Sequence, residues 1–165
     1  GRDGRKIKPK IYHGISTMDL ADRVIEAINA TDPAAVFIDG VGIGGAVVDR
    51  LMQLGYGYCV IEVNVGAAPL DKDRYKNKRA EVWDEMRKWL KTGSIIPDQA
   101  MYDDMIGIEY SYDMNGKLQM EKKDDMKKRG LASPDLADAL ALTFAEGIAP
   151  EAVRSKPVKV RRALR

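Results

Sequence analysis

The chain has 165 residues, 45% hydrophobic and 32% charged, which is enough apolar material for one folded domain and too much for wholesale disorder. It carries 27 Lys/Arg, 25 Asp/Glu, one His and one Cys. These counts exclude an internal disulfide framework, a multi-cysteine zinc site and a histidine-rich metal centre, and leave carboxylates as the readiest instruments of catalysis. No apolar run approaches 18 residues, so no membrane-spanning helix is expected, and GRDGRKIKPK at the front lacks the apolar stretch of a secretory leader.

The net charge of +2 hides a polarity. Residues 1–10 stand at +4 and residues 151–165 at +5, whereas residues 11–150 stand at −7. Basic ends on an acidic body suit nucleic-acid binding, and they equally suit solvated tails. We therefore expect a domain over 1–150 and a basic C-terminal tail over 151–165.

In chain order, Lys6–Gly14 alternates basic and apolar residues, as an edge strand does, with Pro9 tolerated there. A helix opens near Thr17, a candidate cap, keeps helical spacing through Leu20, Val24, Ile25 and Ile28, and stops at Thr31-Asp32-Pro33. Ala34–Asp39 reads as a buried strand, Gly40–Gly45 as a glycine loop, and Ala46–Leu54 as a helix ended by Gly55. Tyr58–Val63 is a second apolar strand. A polar stretch over 67–77 leads into a helix through Trp83, Met86, Trp89 and Leu90, ended by Gly93. Ile108–Tyr112 and Lys117–Glu121 alternate about Asn115-Gly116, a strong hairpin signal. After the charged segment Glu121–Arg129, Ser133-Pro134-Asp135 predicts a helix start, with Leu136, Leu140 and Phe144 on its core side. Strands alternating with helices give an α/β domain with a partly parallel sheet, and the hairpin adds antiparallel strands.

Gly40, Gly42 and Gly45 satisfy G-x-G-x-x-G between a strand and a helix, and Glu62 lies 20 residues after Gly42. That pattern admits a Rossmann-like dinucleotide site, with Glu62 on the ribose. Asp39, directly before the loop, would repel a pyrophosphate held there. The glycines also serve plain tight packing.

A second reading starts from Asp39. A carboxylate at the tip of an apolar strand is costly unless it is solvated, paired or bound to a metal. Asp135 and Asp138 are three apart and share a helix face. If that face meets the strand tip, three carboxylates converge, and a hard divalent cation such as Mg²⁺ or Mn²⁺ relieves their repulsion. On spacing alone, Asp135 is equally an ordinary first-turn acid and Asp138 a surface acid.

Three blocks together, VFIDGVGIGG (36–45), DRYKNKRAEVW (73–83) and KKDDMKKRGLASPDLADALALT (122–143), resemble the C-terminal nuclease domain of the large terminase subunit of tailed bacteriophages. The likeness runs from about Lys6 to Phe144. It implies a ribonuclease-H-like mixed sheet flanked by helices, and a metal-dependent endonuclease that cuts concatemeric double-stranded viral DNA by two-metal hydrolysis with Mg²⁺ or Mn²⁺. Carried over, Asp39 matches the acid of the family's central strand. The SPDLAD block supplies the C-terminal acid, Asp135 or Asp138, with a lean to Asp138. The implied partners are the DNA, an ATPase domain, the small terminase subunit and the portal, with the host cytoplasm as the place of action. The family's opening strand with its first catalytic acid finds no match. Asp3 is a poor substitute, and no phosphate-binding G-x-x-x-x-G-K-[ST] occurs. The expectation is a fragment that starts inside the nuclease domain, with metal binding weakened and turnover reduced or abolished.

Two basic groups are candidates for phosphate contacts: Arg74, Lys76, Lys78 and Arg79, and Lys127, Lys128 and Arg129, with Lys122 and Lys123 at the hairpin's end. The resemblance further implies that the hairpin touches or gates DNA. Trp83 and Trp89, six apart, are expected in core packing, the methionines as gap-fillers and Cys59 as an inert core thiol. His13 has no acid–base partner in the pattern.

Overall fold

The computed structural model describes residues 8–148; the expected basic tail at 151–165 and the first residues of the expected Lys6–Gly14 strand lie outside them. The described chain divides into two compact units, one formed by Gly14–Glu62 with 147–148, the other by Val63–Glu146 with 8–13.

The first unit holds α1 (Thr17–Thr31), β1 (Val36–Asp39), α2 (Ile43–Gln53) and all but the last residue of β2 (Val60–Val63). The N-cap of α1 is Ser16 rather than Thr17: its hydroxyl accepts from the Asp19 backbone N–H at 3.1 Å and donates to the Asp19 carboxylate at 2.8 Å, a reciprocal cap. The helix ends where Asp32 turns left-handed, at φ 44°, before Pro33. α1 packs on α2, and β1 pairs with β2. Between them Ala21, Ile28, Val47, Val48, Leu51, Cys59 and Val60 form the core, so Cys59 is the expected core thiol. Helix α2 begins three residues earlier than the sequence pattern suggests, because Gly42 at φ 71° lets the chain turn straight into Ile43.

The second unit holds α3 (Lys78–Trp89), α4 (Gln99–Gly107), β3 (Tyr110–Tyr112), β4 (Leu118–Met120), α5 (Lys123–Lys128) and α6 (Asp135–Leu142). Asn77 caps α3 by accepting from the Ala80 N–H at 3.0 Å. Strands β3 and β4 pair antiparallel, Tyr110 opposite Met120 and Tyr112 opposite Leu118, about a turn in which Gly116 takes φ 73°. Leu118 also bridges Tyr75: its N–H donates to the Arg74 carbonyl at 2.9 Å, and its carbonyl accepts from Lys76 at 3.0 Å. Helix α3 packs on α6 and on β4, and α4 packs on α6. Buried Ala80, Val82, Trp83, Met86, Met101, Met126, Ala137, Ala141 and Leu142 form this interior.

Several expectations change here. Residues 8–14 carry no strand. Helix α4 breaks a stretch without a clear apolar period, and α5 folds inside the charged segment. The buried face of α6 is Ala137, Ala141 and Leu142, not Leu136, Leu140 and Phe144, because α3 approaches closely over small side chains. Pro134, not Ser133, is the N-cap of α6 and makes no side-chain cap bond. The cap comes instead from α4, where the Asp104 carboxylate accepts from the Leu136 and Ala137 N–H groups at 2.8 and 3.2 Å. Among the described residues no helix is long and apolar enough to cross a membrane.

Candidate functional site

Asp138 lies in the first turn of α6 with its side chain 18% exposed. Such a carboxylate needs partners, and it has three. The Trp83 indole Nε1–H donates to Oδ1 at 2.8 Å. The Arg79 guanidinium donates to the same oxygen from Nε and Nη2, each at 3.3 Å. The Lys123 ammonium stands 3.0 Å from Oδ2. Arg79 and Trp83 are four apart on α3, so one helix face presents both donors. Arg79 also donates from Nη1 to the Glu121 carbonyl at 2.8 Å, tying Asp138 to the end of β4.

Asp135, on the same helix, is 79% exposed and meets Lys123 at 3.4 Å. Lys123 therefore joins both α6 acids. Burial opposes its charge, but the hydrogen bond to Asp138 and the fields of Asp138 and Asp135 raise its pKa above the ordinary lysine value.

Asp39 ends β1 in the other unit, where its carboxylate accepts from the Val41 N–H at 3.1 Å. On the paired strand, the Glu62 carboxylate lies against Gly40 so closely that a Cβ there would overlap it. Two carboxylates thus flank the glycine loop, an environment that repels a pyrophosphate and disfavours a dinucleotide site. The glycine that closes the packing is Gly44, where a Cβ would collide with the Asp39 carbonyl; it lies outside the G-x-G-x-x-G positions.

Among the described residues, no group of three or more His, Cys, Asp or Glu is arranged to hold a metal ion. In kind, the candidate donors fit a hard divalent cation: all are carboxylate oxygens, and Asp138 has the fixed N–H donors that orient a ligating carboxylate.

The basic candidates fall into groups. Lys78 is half-buried against Glu81 at 2.7 Å, and Arg79 faces Asp138. Arg129 is held by Glu121 at 2.6 Å, Glu109 at 3.0 Å and the Gly107 carbonyl at 2.8 Å, a cross-link at the foot of the hairpin. Arg129 in turn lowers the Glu121 carboxyl below its usual range. Lys76 donates to Gln119 at 2.7 Å. Lys127 and Lys128 pair with Asp124 and Asp125 on exposed α5, and Lys122 precedes that helix on the surface.

Sequence reasoning placed Trp83 in the core, where it is buried, but missed its indole N–H as the partner of Asp138. It also missed Asp84, a buried carboxylate that accepts from the Tyr75 hydroxyl at 2.6 Å and from Arg87 at 2.7 Å, with Arg74 and Lys88 each 3.2 Å away. Burial alone would raise the Asp84 carboxyl, but the hydrogen bonds from Tyr75, Arg87 and Lys88 hold it down at about 2. A polar residue four or fewer positions from a cation on one helix was the available signal.

No family model matches the chain, and no curated protein sequence is detectably similar to it. Solved structures are. The K428A nuclease domain of the large terminase subunit gp2 of bacterial virus Sf6, with manganese and beta-thujaplicinol, superposes with TM-score 0.70 at 19% identity, over 87% of this chain and 77% of that one. The Sf6 gp2 nuclease domain without the substitution gives TM-score 0.66 at 21% identity, over 78% and 72%. The K428A gp2 fragment with calcium gives 0.66 at 20%, over 77% and 71%. At these identities the likeness establishes the fold: the chain has the α/β, ribonuclease-H-like architecture of a phage terminase nuclease domain.

Proposed function

We propose that this domain is a metal-dependent DNA endonuclease of a viral packaging terminase, cutting concatemeric double-stranded DNA by two-metal phosphodiester hydrolysis. The observation that carries the reading is the fold shared with the Sf6 gp2 nuclease domain over 87% of the chain. The enclosure of Asp138 by Trp83, Arg79 and Lys123 supports it. Asp39, Asp135 and Asp138 would hold Mg²⁺ or Mn²⁺, which when bound supplies Lewis-acid stabilisation of charge on a phosphodiester. Trp83 and Arg79 orient the Asp138 carboxylate, and Lys123 balances its charge together with that of Asp135. Lys122, Lys127 and Lys128 offer exposed cations to DNA phosphates. In this reading the partners of the parent protein are an ATPase domain, the small terminase subunit and the portal, and it works in the host cytoplasm during virus assembly.

Supercoiled plasmid incubated with the chain tests this. Nicking is expected with Mn²⁺ or Mg²⁺ and not with EDTA, and its loss is expected in Asp39→Ala and Asp138→Asn variants that still fold. Intact plasmid with every metal from the full-length parent protein, or full activity in Asp39→Ala, overturns the reading.

A further inference from the structure

A pocket of about 420 Å³ opens between α3 and the β3–β4 hairpin, a volume within the rough 300–1,000 Å³ range of small-ligand sites. Its lining is mostly apolar, with Trp83 and Met86 from α3, Leu90 just after it, and Leu118 and Met120 from β4, and the Asp84 carboxylate lies among them. Its mouth differs. Tyr110 and Tyr112 are two apart on β3, so they share one strand face. Both are 63% exposed, and their rings meet edge to face with centroids 6.2 Å apart. Arg74 and Arg87 line the same mouth. Both pair with one carboxylate, Asp84, which leaves the mouth with a positive surplus.

An apolar floor alone would fit many partners. Two open aromatic faces beside surplus guanidinium charge fit a polyanion that carries flat rings. We propose that this pocket receives unpaired bases of a DNA strand, stacked on Tyr110 and Tyr112 with their phosphates against Arg74 and Arg87. Bases inside a duplex are already stacked, so the occupant is a frayed end or a strand opened beside the cut. The pocket also adjoins the candidate acid. The Trp83 ring forms part of its wall, while the same residue's N–H donates to Asp138, so a bound nucleotide lies one indole away from that carboxylate. The inference rests on the reading of the domain as acting on DNA, and adds that unpaired bases are recognised.

Fluorescence anisotropy of a labelled short oligothymidylate with the full chain, in EDTA, tests it. Tyr110→Ala and Tyr112→Ala, both at exposed positions, should each weaken binding about tenfold, the effect of losing one base–ring stack. Tyr110→Phe keeps the ring and should bind like wild type. Alanine variants that bind like wild type, or a chain that binds duplex and ignores oligothymidylate, overturn the proposal. Plasmid cleavage by the same proteins separates the two readings. Tyrosine-independent binding by a chain that cuts removes the pocket and leaves the nuclease. Tyrosine-dependent binding, with a full-length parent protein that never cuts, removes the nuclease and leaves the pocket.

Discussion

The indole nitrogen of Trp83 stands 2.8 Å from Oδ1 of Asp138, across 55 residues of chain. This bond makes α3 the clamp that fixes a first-turn carboxylate of α6. Trp83→Phe removes the donor and keeps most of the buried ring. Partners that orient a ligating carboxylate are worth about 10–100-fold in metal affinity, so calorimetric titration with Mn²⁺ should show at least about tenfold weaker binding. Unfolding free energy should fall by only about 1 kcal/mol, the net worth of one hydrogen bond. Unchanged Mn²⁺ affinity would show that Asp138 needs no such clamp.

Asp84 sets an acid limit on the second unit. Its folded pKa of about 2 lies below the ordinary 3.8. The depressed value means its stabilisation is complete above about pH 4 and is lost as pH falls towards 2. The linkage amounts to about 2 kcal/mol. Denaturant melts of wild type and Asp84→Asn should differ by that amount at pH 7 and converge near pH 2. Parallel curves across this window would assign the acid sensitivity elsewhere.

Asp104 caps a helix from a different segment. Asp104→Ala leaves the Leu136 and Ala137 N–H groups without their acceptor, and should cost about 1 kcal/mol, as N-cap losses do. Faster amide exchange should appear at the start of α6 while α1 is unaffected. Uniform loosening of both units would count against a local cap.

The basic residues divide by their partners. Lys122→Ala and Lys127→Ala should each reduce the salt dependence of DNA binding by about one phosphate contact. Arg129→Ala should chiefly disturb the hairpin, because three carbonyl or carboxylate groups hold that guanidinium. Binding measured over a range of salt, with thermal melts of each variant, checks both halves.

What the sequence made legible was local. The stop at Thr31-Asp32-Pro33, the alternation of β1, α2 and β2, and the Asn115-Gly116 turn each follow from neighbouring residues, and the structure keeps them. Asp138 could be named from the resemblance of the SPDLAD block, but not its surroundings, because Trp83, Arg79 and Lys123 arrive from two other helices. Helix α4 escaped notice because its apolar residues line only a weak stripe and its start depends on Asp98. The true cap of α6 lies on another helix altogether, where no local pattern reaches. Ala137 and Ala141 face α3 because small side chains permit close approach, a property of the pair of helices rather than of either one.

The bridge between Leu118 and the chain at Arg74–Lys76 splits the hairpin into a root and a tip. At the root, two backbone hydrogen bonds to residues 74 and 76 and the Arg79 bond to the Glu121 carbonyl pin β4 down. Beyond Leu118, among the described residues, Asp113 and its turn hold the loop, through the bonds from Asn115, Gly116 and Lys117. Met114, in that turn, stands fully in solvent. Tyr110 pairs with Met120 nearer the root, and Tyr112 pairs with Leu118 next to the turn. The hairpin is thus fastened to the rest of its unit at the root, while its tip is closed by bonds of its own turn.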